Sequence, residues 1–331
     1  MVDKFVTFDA AGGGDGTIGD PWTMAEATAN VVAGDKVFVK AGTYSVDDSA
    51  SSSVMDIDIV GTNANWILWE GYTTTQGDFS LGDVQPAIID ALTNTLSNAL
   101  NGTTLGGSGY NGFRGLRFTG GSSHGANFGT SVDNVAFEGC KFDNNGGRGL
   151  IADNEVTGVM CEFTGNTTNS LNADNNTRFL ACSFHNEPSQ TVTLGSGACM
   201  LMSLFFNNGN GVNLFFDSQT PVIVGNSFDG GSQASSVGTR ISGSANIMGI
   251  LYNNIFIDFD VAVDFASAGT ERVVSKGFNL FFGNTTDYDV LSLESNDISG
   301  TSDPFTDSAN DDYSLKTGSE ALDAGLDAGN L

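Results

Sequence analysis

Two aspartates, Asp153 and Asp174, take the same place in the matching segments Leu150-Ile151-Ala152-Asp153-Asn154 and Leu171-Asn172-Ala173-Asp174-Asn175. If the interval between them is one structural period, the carboxylates lie about 5 Å apart on neighbouring layers. Carboxylates so placed repel unless water, a shared proton or a cation intervenes. With Arg178 close behind in sequence, they form a candidate acid/base set. The alternative is that both head solvated turns beside Asn154 and Asn175. A second candidate is the glycine-rich stretch from Gly12 to Asp20, where Asp9, Asp15 and Asp20 could offer oxygens to Ca2+. It lacks the ligand spacing of an EF-hand loop, and a plain turn is the competing reading. No Gly-Lys-Ser/Thr follows it, which excludes a P-loop phosphate cradle. No cofactor is expected from these residues, with Ca2+ as the alternative.

Other chemistries lack an assembled set. Elimination at a uronic acid needs a base, usually Lys or Arg, and cations to hold the carboxylate. The Lys and Arg residues, 12 in all, are scattered, and the best mid-chain pair, Arg148 and Arg178, is not separated by one repeat. The acidic doublets Asp47-Asp48 and Asp311-Asp312 lie towards the ends. His124 and His185 have no Cys or His partner at ligand spacing and read as surface or edge residues. The residues therefore lean away from an enzyme; if there is one, it is a polysaccharide lyase or glycoside hydrolase.

These residues are positioned by a repeat. Phenylalanines recur at Phe142, Phe163, Phe184, Phe205 and Phe228, then at Phe256 and Phe281, and Phe118 precedes them. Cys140, Cys161 and Cys182 repeat just before the first three, and Asn226, Asn254 and Asn279 take the same place later. Each segment has apolar residues flanking one outward residue, the period of a strand. Asn, Asp and Gly follow, as in Asp143-Asn144-Asn145-Gly146-Gly147, and these tolerate tight bends. Such a unit cannot bury its own apolar face; stacking coils about 4.8 Å apart does so and piles like residues into ladders. The cysteines are expected as buried thiols inside the stack, with a disulfide between coils as the alternative. The expected fold is all-β: a single right-handed parallel β-helix solenoid with a short N-terminal capping helix at Met24-Ala25-Glu26-Ala27-Thr28-Ala29. One domain spans 1–331, with cap and first coil in 1–45, regular coils in 110–285 and a C-terminal coil or cap in 300–331. The loop Gly230 to Gly238 reads as the longest insertion.

The chain carries 39 Asp and Glu against 12 Lys and Arg, a net charge of −27. That surface repels nucleic acid and anionic membranes, and it disfavours polyanionic glycans unless a local basic cleft overrides it. No apolar run is long enough to span a bilayer. Met1-Val2-Asp3-Lys4-Phe5-Val6 has no apolar signal core, so use without export is expected, with secretion as the alternative.

The stretch from Phe5-Val6-Thr7 through Asp20-Pro21-Trp22-Thr23 to Ala41-Gly42-Thr43-Tyr44 resembles the N-terminal cap and first coil of the pectate-lyase-like right-handed β-helix superfamily. Asp303-Pro304-Phe305 and Asp312-Tyr313-Ser314-Leu315 resemble its C-terminal coil. The superfamily holds lyases, hydrolases, phage tailspikes and non-catalytic virion proteins, so the resemblance implies a fold and no single activity. The missing catalytic set directs the expectation to a non-catalytic phage virion-surface protein, a capsid decoration or spike, made in the host cytoplasm. A carbohydrate-active enzyme or glycan-binding tailspike is the alternative. Expected partners are two further copies in a homotrimer, through Phe215-Phe216 and Phe281-Phe282, other virion proteins and a host-surface glycan. Nucleic acid and membrane are not expected.

Overall fold

A computed structural model describes residues 2–45, 53–92, 95–105, 107–129, 132–217, 220–242, 247–265, 272–322 and 324–325. The Asp47-Asp48 doublet lies outside them. The chain is all-β with the right-handed parallel β-helix fold and a short capping helix. It divides into two compact units, Met1–Asp174 and Asn175–Leu331.

In the first unit each coil visits three sheets in turn. One coil runs through Val132–Glu138 in sheet 1, Lys141–Asp143 in sheet 2 and Arg148–Ala152 in sheet 3. Each strand pairs in parallel with its equivalents one coil before and after, as Lys141–Asp143 does with Leu116–Thr119 and Glu162–Thr164. The register sets Phe118, Phe142 and Phe163 opposite one another, with ring centroids 5.3 and 4.7 Å apart and nearly parallel planes. All three are fully buried. Coil spacing and ring thickness match closely enough for like aromatic residues to stack in contact. The helix Met24–Asn30 covers the first coil. It starts at Thr23, whose hydroxyl accepts from the Glu26 N–H while the Glu26 carboxylate accepts from the Thr23 N–H. That reciprocal cap satisfies two donors that so short a helix would otherwise leave open.

The second unit repeats the plan, for example through Val222–Val224, Ser227–Asp229 and Val237–Ser242. Phe184, Phe205, Phe228, Phe256 and Phe281 stack at 4.6 to 5.5 Å. Just before each of the last three, the turn from sheet 1 to sheet 2 carries a buried asparagine ladder. Asn226 donates to Asn254 and Asn254 to Asn279, each at 3.0 Å, and each amide also donates to an inner carbonyl. Doubly satisfied amides can be buried at this bend without an unmet polar group. The end of the chain, expected as a C-terminal coil or cap, carries a short antiparallel pair. Phe305–Asp307 and Asp312–Leu315 pair antiparallel, and Tyr313 packs on Phe206 and Phe305 and donates to Asp229 at 2.9 Å. Phe216 and Phe281 are buried while Phe215 and Phe282 are half-buried, so each doublet keeps strand alternation.

Cys140 and Cys161 occupy that turn position in the first unit and Cys182 in the second; none of the four cysteines is in a disulfide. Those three are at most 2 % exposed, whereas Cys199 is partly exposed. Burial pushes the Cys140 thiol well above its usual range. A thiol reagent is expected to modify Cys199 alone in the folded protein and all four after unfolding. Rapid modification of a second cysteine in native protein, located by mass spectrometry, would overturn the inward register of this column.

Candidate functional site: a groove on the first sheet

On the outer face of sheet 1 in the first unit, the register brings together residues distant in sequence. Phe38, Glu70, Arg114, Glu138 and Val159 form one outward row across successive coils. Lys36, Leu68, Gly112, Ala136 and Thr157 form the neighbouring row. Inward residues between them, Trp69, Phe113 and Phe137, are buried and anchor the strands. The two outward rows floor a groove of about 410 Å3 that Trp66 also lines.

A charged stack occupies this groove. Lys36 Nζ lies 2.9 Å from Glu70 Oε2, and Arg114 Nη1 lies 3.6 Å from the same oxygen. Arg114 Nε faces Glu138 Oε2 at 3.7 Å. Glu70 is 3 % exposed, and its second oxygen, Oε1, has no hydrogen-bond partner. Arg114 sits at ion-pair range of both carboxylates but outside hydrogen-bond range, and its Nε–H is unbonded. A buried carboxylate oxygen and a guanidinium N–H left unmet are costly unless something else engages them.

The loop 73–86 reaches Arg114 through Phe79 and is longer than the Gly230–Gly238 loop. Its start is fixed by Asp78, which accepts from the N–H groups of Thr73, Thr74 and Thr75 at 2.7 to 2.9 Å. Those bonds hold the Asp78 carboxyl below its ordinary range. Phe79 is buried where two glycines leave room: a Cβ on Gly115 or Gly139 would come within 2.7 or 2.9 Å of its ring. Both glycines also have left-handed φ, 62° and 58°, as the bend after each sheet-1 strand requires. Arg114 lies over the Phe79 ring at 5.9 Å, and Gln85 donates to the Gly139 carbonyl at 3.0 Å.

The residues singled out from sequence lie elsewhere. Asp153 and Asp174 are stacked as the spacing implies, in the turn after sheet 3, with the Asp174 N–H donating to the Asp153 carbonyl at 3.1 Å. Partial burial, then the charges of Asp174 and Asp133, raise the Asp153 carboxyl above its ordinary range. Neither lines the groove. Arg178 belongs to the second unit, where it begins a sheet-1 strand opposite Cys199. Asp15 accepts from the Thr17 N–H at 2.9 Å, and Asp20 pairs with Thr17 across a tight turn. Among the described residues, no three His, Cys, Asp or Glu side chains gather so as to hold a metal ion. His124 Nδ1 accepts from the Arg148 N–H at 3.3 Å, and burial followed by the Arg148 charge lowers its pKa. The His185 ring stacks on Phe206 at 4.6 Å.

The sign of the Asp153 effect follows from its raised pKa. The folded chain holds that proton more tightly than the unfolded chain, so this contribution to stability falls as pH rises through the carboxylate range. Asp174→Asn is expected to stabilise the protein by about 0.5 kcal/mol at neutral pH, the usual size of a like-charge clash between strands. The gain should vanish in acid. Denaturant midpoints measured across pH test this, and an unchanged or lowered midpoint at neutral pH would contradict it.

The scattered basic residues of the sequence are thus partly gathered in space: Lys36 and Arg114 are far apart along the chain yet reach one carboxylate. No family model matches the sequence, and no curated protein matches it. Among solved structures, the chain is similar to pectate lyase Pel9A, at 15% identity and a TM-score of 0.71, covering 100% of this chain and 93% of that one. It is also similar to a mannuronic acid specific polysaccharide family 6 lyase from human gut microbiota, at 15% identity and a TM-score of 0.52, covering 88% and 83%. These likenesses establish a pectate-lyase-like parallel β-helix fold. They overturn the expectation of a non-catalytic virion-surface protein, because these neighbours are polysaccharide lyases. That expectation rested on the missing export signal and on the absence of an assembled catalytic set, and linear spacing does not show that Lys36 and Arg114 meet.

Proposed function

We propose that the protein cleaves a uronic-acid-containing polysaccharide by β-elimination in the sheet-1 groove. The observation that carries this reading is the convergence of Lys36 and Arg114 on the buried Glu70 carboxylate in the groove. Arg114, held by ion pairs without hydrogen bonds, has a planar fork available for a uronate carboxylate. Neutralising that carboxylate makes the adjacent C5 proton more acidic and stabilises the enolate that forms. The Lys36 amine, positioned by Glu70, takes the C5 proton when it is in its neutral form. The electron pair of the C–H bond forms the C4–C5 double bond, and the C4–oxygen bond breaks, its oxygen leaving with a proton from solvent. The two lyases of similar fold support this class of substrate.

The test is to incubate pure protein with polygalacturonate, polymannuronate and a neutral glucan, with and without Ca2+. Ultraviolet absorbance from an unsaturated uronate product is expected with at least one acidic polymer. Its absence from all of them refutes elimination. A second reading is favoured by one observation: Glu70 and Glu138 are two coils apart with Arg114 between them. Two coil spacings are about 9.6 Å, near the separation of about 6.5–9.5 Å used by inverting glycoside hydrolases. New reducing ends without unsaturated product would select that reading.

A further inference from the structure

The groove has an apolar half beside its charged half. Trp66, Leu68 and Glu70 alternate outward along one strand and its entry, with Trp66 about 13 Å from Glu70 at the rise of an extended chain. The floor next to Leu68 has only small residues of its own, since Gly112 and Ala136 occupy the same row. A Cβ on Gly112 would meet Leu68 at 2.9 Å and the Trp66 indole at 3.9 Å, so these side chains spread over that glycine. Tyr110 meets Trp66 edge-on, with centroids 5.6 Å apart and planes at 76°. Its backbone takes a left-handed conformation, φ 44°, which a tyrosine adopts only when its surroundings enforce it. The next residue supplies that enforcement: buried Asn111 accepts from Trp69 Nε1 at 3.2 Å and donates to the Gly109 carbonyl at 2.8 Å. The indole is therefore half-buried and oriented, where a merely structural tryptophan would be covered. Trp22 and Trp69 are covered, at 5 % and 0 % exposure.

We propose that Trp66 is a sugar-stacking platform, so that the groove takes an oligosaccharide with one ring on the indole and a second ring presenting its carboxylate to Arg114. The C–H face of a pyranose is apolar and flat, and an indole held against Tyr110 matches it with little reorganisation. A single sugar is too short to reach both halves. This inference rests on the proposed uronate substrate but concerns binding, which can be read without turnover.

All three tryptophans emit, but Trp22 and Trp69 are covered, so a change in emission on adding a ligand is expected to come mainly from Trp66. Oligogalacturonates and oligomannuronates of increasing length, and the free uronic acids, are titrated into the 331-residue chain, with the signal taken before any product accumulates. Quenching or a spectral shift is expected with an oligomer, at far lower concentration than with its monosaccharide. Trp66→Ala should weaken oligomer binding about 10-fold or more by calorimetry, the loss typical of a central aromatic anchor. Trp66→Phe should keep most of the affinity and lose the fluorescence signal, which separates stacking from misfolding. Oligomer binding to Trp66→Ala as tight as to wild type, equal affinity for monosaccharide and oligomer, or no binding by any of these probes would each overturn the platform. Binding with no unsaturated product would retire the elimination reading and keep the platform. Product formed equally well by Trp66→Ala would do the reverse.

Discussion

Arg114→Ala is expected to lower kcat/KM on the responsive uronate polymer by about 100-fold or more, the usual cost of removing one charged group aimed at a developing oxyanion. The loss should fall mainly on kcat, because charge on the carboxylate grows towards the enolate and the guanidinium is worth most there. Arg114→Lys should recover part of the rate but not all, since an ammonium keeps the charge and loses the two-pronged geometry. Stability should change by no more than about 1 kcal/mol, because the side chain is 36% exposed and its ion pairs are longer than hydrogen bonds. Glu70 keeps Lys36 as a partner at 2.9 Å, which limits the penalty of stranding its charge. Initial rates and thermal melts on the same preparations separate the two effects. Turnover by Arg114→Ala within about threefold of wild type would remove Arg114 from the mechanism.

The second large effect is on stability. Phe142→Ala should destabilise the protein by about 3–5 kcal/mol, the range for truncating a buried phenylalanine. Phe142 is fully buried, stacks on Phe118 and Phe163, and meets Phe137 edge-on at 5.2 Å. The cavity cannot close by a side-chain shift, because neighbouring rings are held at coil spacing by backbone pairing above and below. Phe215→Ala is the control: that ring is half-buried, and its loss should cost about 1 kcal/mol or less. Denaturant midpoints for both variants decide the matter. If Phe142→Ala cost no more than Phe215→Ala, the ladder would not be the core of this coil.

The ladders were legible in sequence because in-register parallel stacking turns a spatial neighbour into a fixed offset. Phe118, Phe142 and Phe163, or Asn226, Asn254 and Asn279, repeat at coil length, and strand alternation settles which way each points. The groove was not legible from the same offsets. Lys36, Glu70, Arg114 and Glu138 follow one another at unequal intervals, because loops such as 73–86 lengthen the early coils by different amounts. A local signal was present: Trp69-Glu70-Gly71, Phe113-Arg114-Gly115 and Phe137-Glu138-Gly139 repeat an inward aromatic residue, an outward charge and a glycine. Aligning coils on that triplet instead of on a constant period places the three charges in one row. Asp153 and Asp174 illustrate the opposite case, since their proximity was foreseen while their position, outside the groove, was not.

Pairing each strand with its equivalent one coil later has a mechanical consequence. Phe142 faces Phe163 and Phe228 faces Phe256, each pair separated by a single coil, so the hydrogen bonds of any one coil are closed by short stretches of chain. Within either unit, a force applied to a free end loads one ladder rung at a time instead of shearing a whole sheet. Drawn out in an optical trap, the chain should lengthen in steps, each releasing one coil of roughly 70 Å of contour at about 3.4 Å per residue. The Phe142 coil should then give way at lower tension once its ring is gone.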